Sequence, residues 1–141
     1  GLSASLGAAD ITEIEFITTS FDKSDGGTLQ ARVRFNEPVV VNTSGGTPHL
    51  AVTNGNQGSG SGRGPHNLTY ASGTGTNELV FSLTIGAANA ATNAGDILVI
   101  GANAIALNSG TIKDVATSTT NATITNSSAI GTAAGSITVA A

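Results

Sequence analysis

Apolar and polar residues alternate along much of this 141-residue chain. Across residues 28–36, Leu29, Ala31, Val33 and Phe35 are apolar, and Thr28, Gln30, Arg32, Arg34 and Asn36 separate and flank them. A strand sends successive side chains to opposite faces, so this run predicts a half-buried strand with a wet outer face. Residues 78–85 repeat the pattern through Leu79, Phe81, Leu83 and Ile85. Leu50 with Val52, Leu68 with Tyr70, and Ile14 with Phe16 do so over the shorter runs 47–53, 66–70 and 11–19. Residues 97–100, 104–107, 120–125 and 137–139 are briefer strand candidates. Their shared phase predicts a core of Leu29, Val33, Phe35, Leu50, Val52, Leu68, Tyr70, Leu79, Phe81, Leu83 and Ile112.

Turn formers separate these runs: Asp25-Gly26-Gly27, Ser44-Gly45-Gly46, Asn54-Gly55, Ser72-Gly73-Thr74-Gly75 and Asn108-Ser109-Gly110. About eight or nine short strands at this spacing predict an antiparallel β-sandwich. The one helix-leaning stretch, 87–94, is weakened by Asn89, Thr92 and Asn93. The expected organisation is an N-terminal arm at 1–10, one sandwich at 11–125, and a C-terminal tail or last strand at 126–141. The Gly/Ser run between Asn54 and Pro65 is flexible by composition. No internal repeat is visible.

Composition narrows the chemistry. Only 10% of residues are charged, against roughly 25% in an ordinary domain. Net charge is -4, and the basic residues Lys23, Arg32, Arg34, Arg63 and Lys113 are too scattered for a phosphate-binding stripe, so no nucleic-acid partner is expected. With no cysteine there is no disulfide, thiolate zinc site or cysteine nucleophile. No run of about 18 apolar residues predicts a membrane span. Two expectations stand for Gly1, a signal already removed or an initiator methionine trimmed.

His49 and His66 are the two candidate neutral-pH bases, and both read as exposed strand-end residues without a nucleophile elbow nearby. Asp22-Lys23-Ser24-Asp25-Gly26-Gly27 lacks the alternating ligands of a calcium loop and reads as a solvated turn. The glycines of 58–64 miss dinucleotide spacing and lead into a strand. Triplets at Asn42, Asn67, Asn121 and Asn126 match the glycosylation pattern at the frequency this composition produces by chance. Spacing nominates no pair among Glu13, Glu15, Glu37, Glu78, Asp96 and Asp114 for glycoside chemistry. The expectation is therefore a non-enzyme with no cofactor, no metal and no small-molecule substrate.

Three stretches resemble a known family. Phe35-Asn36-Glu37-Pro38-Val39-Val40-Val41 is similar to the F-x-E-P-V-x-V of bacterial Ig-like adhesin repeats of biofilm-associated surface proteins. Residues 70–81 resemble their Y-x-S-G-x-G-T-N-x-L-x-F, and 107–114 their L-N-G-G-T-I-K-D. The resemblance covers about Leu29 to Thr125 and implies an Ig-like sandwich. Those repeats often carry an acidic, calcium-suited stretch between the last two motifs. Here residues 86–96 hold one carboxylate, Asp96. Single-copy, Ala- and Asn-rich versions with a tail like 130–139 are similar to virion-associated proteins of tailed phages of marine cyanobacteria.

That resemblance implies a structural protein on the virion surface, decorating or cementing a capsid. Its partners would be capsid or other virion subunits, or further copies of itself. The alternative is an extracellular adhesion module of a bacterial cell-surface protein. The expected partner-contact residues are Leu2 and Leu6 in the arm and Ile130, Ile137 and Val139 in the tail, apolar residues set among small ones.

Overall fold

The computed structural model describes residues 8–56, 64–88, 91–117 and 119–141. The alternating runs become strands: β1 (Ile11–Phe16), β2 (Phe21–Asp22), β3 (Gly27–Phe35), β4 (Val39–Asn42), β5 (His49–Asn56), β6 (His66–Ser72), β7 (Glu78–Ile85), β8 (Asp96–Val99), β9 (Ile105–Ala106), β10 (Thr111–Asp114) and β11 (Ser136–Ala140). A short helix, α1 (Ser128–Ala133), precedes β11. Nine strands form one curled sheet in the order β1-β3-β7-β6-β5-β8-β11-β2, with β9 also on β5; β4 and β10 form a separate ribbon. The protein is all-β.

β5 is the turning point of the sheet. Its first half pairs with β6, Leu50 opposite Leu68, and its second half pairs with β8, Thr53 opposite Val99. The curl brings β2 back against β3 and α1 against β1. The predicted core lies inside the curl. Leu29, Val33, Leu50, Val52, Leu68, Leu79 and Phe81 are fully buried, with Phe35 and Ile112 at 1%. Tyr70 and Leu83 are only half-buried at its margin. Tyr70 lays its ring edge-on to Phe81, and its hydroxyl accepts the Thr74 amide at 3.0 Å, which keeps the phenol tip near solvent.

Several expectations need correction. The sheet is mixed: β2 and β11 run parallel, with Val139 opposite Phe21. A two-residue strand has no alternation to read. Residues 120–125 supply only isolated bridges, Asp10–Thr123 and Lys113–Asn121, and not a strand. Of the two options for 126–141, the structure has the strand and not the loose tail. Ser127 caps α1 by accepting the Ile130 amide, and β11 lies between β8 and β2. The body also begins earlier than residue 11. Ala9 is fully buried; its amide donates to Asp114 Oδ1 at 2.8 Å, and its carbonyl accepts from Thr123 at 2.7 Å. A chain starting at Asp10 should therefore be less stable than one starting at Ala8. The deficit is about 1–3 kcal/mol, because the buried Asp114 carboxylate loses its donor. Urea melts of the two truncations check this.

The turns need their glycines at particular places. Gly73 and Gly75 in the β6–β7 hairpin have φ of 116° and 89°, as the hairpin motif requires. In the β9–β10 turn two non-glycine residues take the left-handed region, Asn108 at 50° and Ser109 at 69°. The adhesin-repeat pattern has glycine at the second of these. Ser109→Gly should stabilise the fold by up to about 1 kcal/mol, by removing the Cβ penalty of that conformation. A lower urea midpoint for the variant would contradict this account.

Candidate functional site

The inward phase of three strands ends on polar residues. Along β5, Leu50 and Val52 point inward, and two residues on so does Asn54, 8% exposed. Along β6 the inward residues are His66 and Leu68; along β8 they are Asp96 and Leu98. His66 is 5% exposed and Asp96 0%. The pleat that builds the core thus also buries an amide, an imidazole and a carboxylate together. His66 is not the exposed strand-end residue expected from sequence. Its place opposite Val52 puts it under the β5 turning point. Asp96 is the first residue of β8 and faces inward.

The hydrogen-bond network assigns the hydrogens. Asn54 Nδ2 lies 3.0 Å from Asp96 Oδ2 and 3.0 Å from His66 Nε2. A carboxylate accepts only, so the Asn54 nitrogen, not its oxygen, must face Asp96. The same nitrogen then donates its second proton to His66 Nε2. This wiring assigns His66 the neutral tautomer with its proton on Nδ1. Burial pulls the imidazole below its ordinary value, and the charge of Asp96 opposes part of that shift. Asp96 Oδ2 also accepts the Asn93 amide at 2.8 Å, and Lys23 Nζ donates to the neighbouring Thr92 carbonyl at 2.7 Å. Three oxygens of the cluster, Asp96 Oδ1, Asn54 Oδ1 and Thr92 Oγ1, are buried without a hydrogen-bond partner among the described residues.

The other candidate groups are scattered. His49 is half-buried and sits on the opposite face of β5, three positions from the His66 partner Val52, so the two histidines do not converge. Three strand carboxylates bind arginines on the outer face of β1, β3 and β7: Glu15 with Arg32, Glu13 with Arg34 at 3.2 Å, and Glu78 with Arg34 at 2.5 Å. Glu37 and Asp114 are buried elsewhere. Asp22 closes its own turn; the hydroxyl and amide of Ser24 hold its carboxyl below the usual range. Of the glycosylation triplets, Asn42, Asn67 and Asn121 are exposed. Asn126 is buried, bracing Ala104 and Gly101. Among the described residues no three His, Asp or Glu gather as a metal group.

The expected partner-contact residues divide. Leu2 and Leu6 lie outside the described residues. Ile130 is half-buried on α1. Ile137 and Val139, each 1% exposed, face the chain's own core from β11, which takes both off any partner surface. The sequence reading missed an apolar surface spot on the β4–β10 ribbon. Val40 and Val115 are 40% and 44% exposed, on the outward phase shared with Lys113 and the exposed Pro38. Three successive valines carry no alternation that would have separated Val40 from its buried neighbour Val39.

No family model, curated protein or solved structure matches this chain.

Proposed function

We propose that this chain is a non-enzymatic structural protein, an Ig-like sandwich that decorates or cements a tailed-phage capsid through contacts between subunits. The observation that carries the reading is where the carboxylates go. Glu13, Glu15 and Glu78 are tied to arginines, Asp114 holds the Ala9 amide, and Asp96 holds Asn54 and Asn93. These five of the nine carboxylates fasten the chain to itself, while Glu37 is buried with Oε2 unpartnered among the described residues. The motifs shared with Ig-like adhesin repeats support the same reading, with the sandwich formed by the two halves of the sheet on either side of β5. The apolar spot at Val40 and Val115 is the place for subunit contact, since apolar residues and few charges favour the centre of an interface. Immunogold labelling of purified virions with an antibody to the chain tests this. Labelled particles support it. Labelling of bacterial cell surfaces instead favours an adhesion module, and labelling of neither overturns both.

A further inference from the structure

We infer that Asn54, His66 and Asp96 form an acid-sensitive latch that holds β6 and β8 against the turning point of β5. The wiring works for one protonation state only. Asp96 dictates that Asn54 presents its nitrogen, and that nitrogen requires an unprotonated His66 Nε2. When His66 gains a proton, Nε2–H meets the Asn54 N–H, donor against donor. Turning the amide over offers Oδ1 to the imidazolium but sets the same oxygen against the Asp96 carboxylate. Either contact is kept only by breaking the other, and the latch residues bridge strands from both halves of the sheet.

Among the described residues, these titratable and charged groups lie around the latch. Asp96 is the titratable group facing His66 from β8. Lys23 reaches the adjoining loop at the Thr92 carbonyl. His49 lies on the outer face of β5, and Tyr70 is engaged with Thr74 at the other end of β6. Arg63 lies outside the described residues. The sign follows from burial. His66 titrates below its ordinary 6.5 in the folded chain, so the closed form binds fewer protons than the open one. Stability is complete above about pH 6.5 and declines as pH falls toward the folded value.

Amide hydrogen exchange by NMR from pH 7.5 to 5, corrected for intrinsic rates, tests the latch together with the imidazole nitrogen shifts. The expected result is an Nδ1–H tautomer at neutral pH. Below about pH 6.5, protection of residues 53–55 and 97–99 should fall by up to tenfold per pH unit, while the β3–β7 ladder changes less. His66→Gln retains a side-chain acceptor and cannot take up a proton, so its protection should stay level. Asp96→Asn frees the Asn54 amide to turn, and its acid loss should be smaller than that of the wild type. Three results overturn the proposal: an Nε2–H tautomer at neutral pH, wild-type protection that stays level while His66 titrates, or equal acid loss in His66→Gln. The first two need no variant to fold.

Discussion

Phe81→Ala should destabilise the protein by about 3–5 kcal/mol. Phe81 is fully buried at the centre of the curl. It pairs with Ala31 of β3 on one side and Tyr70 of β6 on the other. The Tyr70 ring stands edge-on to it with centroids 6.2 Å apart, an arrangement that adds to the area it buries. Ala31 is too small to fill the space left behind, and Tyr70 is held by its hydroxyl at Thr74. A cavity therefore persists, and the cost falls toward the upper part of the range. Against a typical stability of about 5–15 kcal/mol, the melting temperature should drop by roughly 10–20 °C. Val80→Ala, on the outer face one residue away, should cost less than about 1 kcal/mol. Equal losses at the two positions would mean that the inward phase of β7 is misassigned.

Gly131→Ala should destabilise by about 1–3 kcal/mol or more, against the direction that helix propensity gives. Glycine inside a helix costs roughly 1 kcal/mol relative to alanine, so propensity alone makes this substitution favourable. Gly131 is the buried residue of α1, packed on the chain between β8 and β9. A Cβ there would strike the Ile100 carbonyl and lie 2.7 Å from the Gly101 carbonyl oxygen. Backbone carbonyls have no rotamer to escape into. This wall is also braced, because Asn126 Nδ2 holds the Gly101 carbonyl at 2.9 Å and Asn126 Oδ1 holds the Ala104 amide at 2.9 Å. Urea denaturation settles the sign. A stabilised Gly131→Ala would show that α1 stands further from the sheet than described.

Much of the fold was legible because alternation is a direct record of the pleat. The runs that became β3, β5, β6 and β7 combine period two with flanking turn residues, and nine of the eleven expected core residues are buried. Elements without that record were missed. β2 has two residues, and β4 opens with three valines in a row. α1 is a single capped stretch of small residues held by its contact with the sheet. The parallel β2–β11 pairing joins opposite ends of the chain and leaves no local signature. The buried cluster was a different kind of miss. Asn54 and His66 each continue the inward phase of an alternating run, so the signal was present there; Asp96 precedes four successive apolar residues, 97–100, which carry no alternation. At Asn54 and His66 polar identity masks the phase of the run they extend.

The place of β11 has a consequence for the order in which the molecule can assemble. Among the described strands it is the last to be synthesised, yet it lies between β8 and β2 and supplies the buried Ile137 and Val139. Until it emerges, Phe21 has no strand to pair with and β8 has one open edge. Joining β2 to β11 closes a loop spanning most of the chain, and contacts so distant in sequence make folding slow. The nascent chain is therefore obliged to wait, with its half-built sheet open to other strands. A chaperone or a partner that shields the exposed edge of β8 during that interval would raise the yield of native protein without altering its final stability.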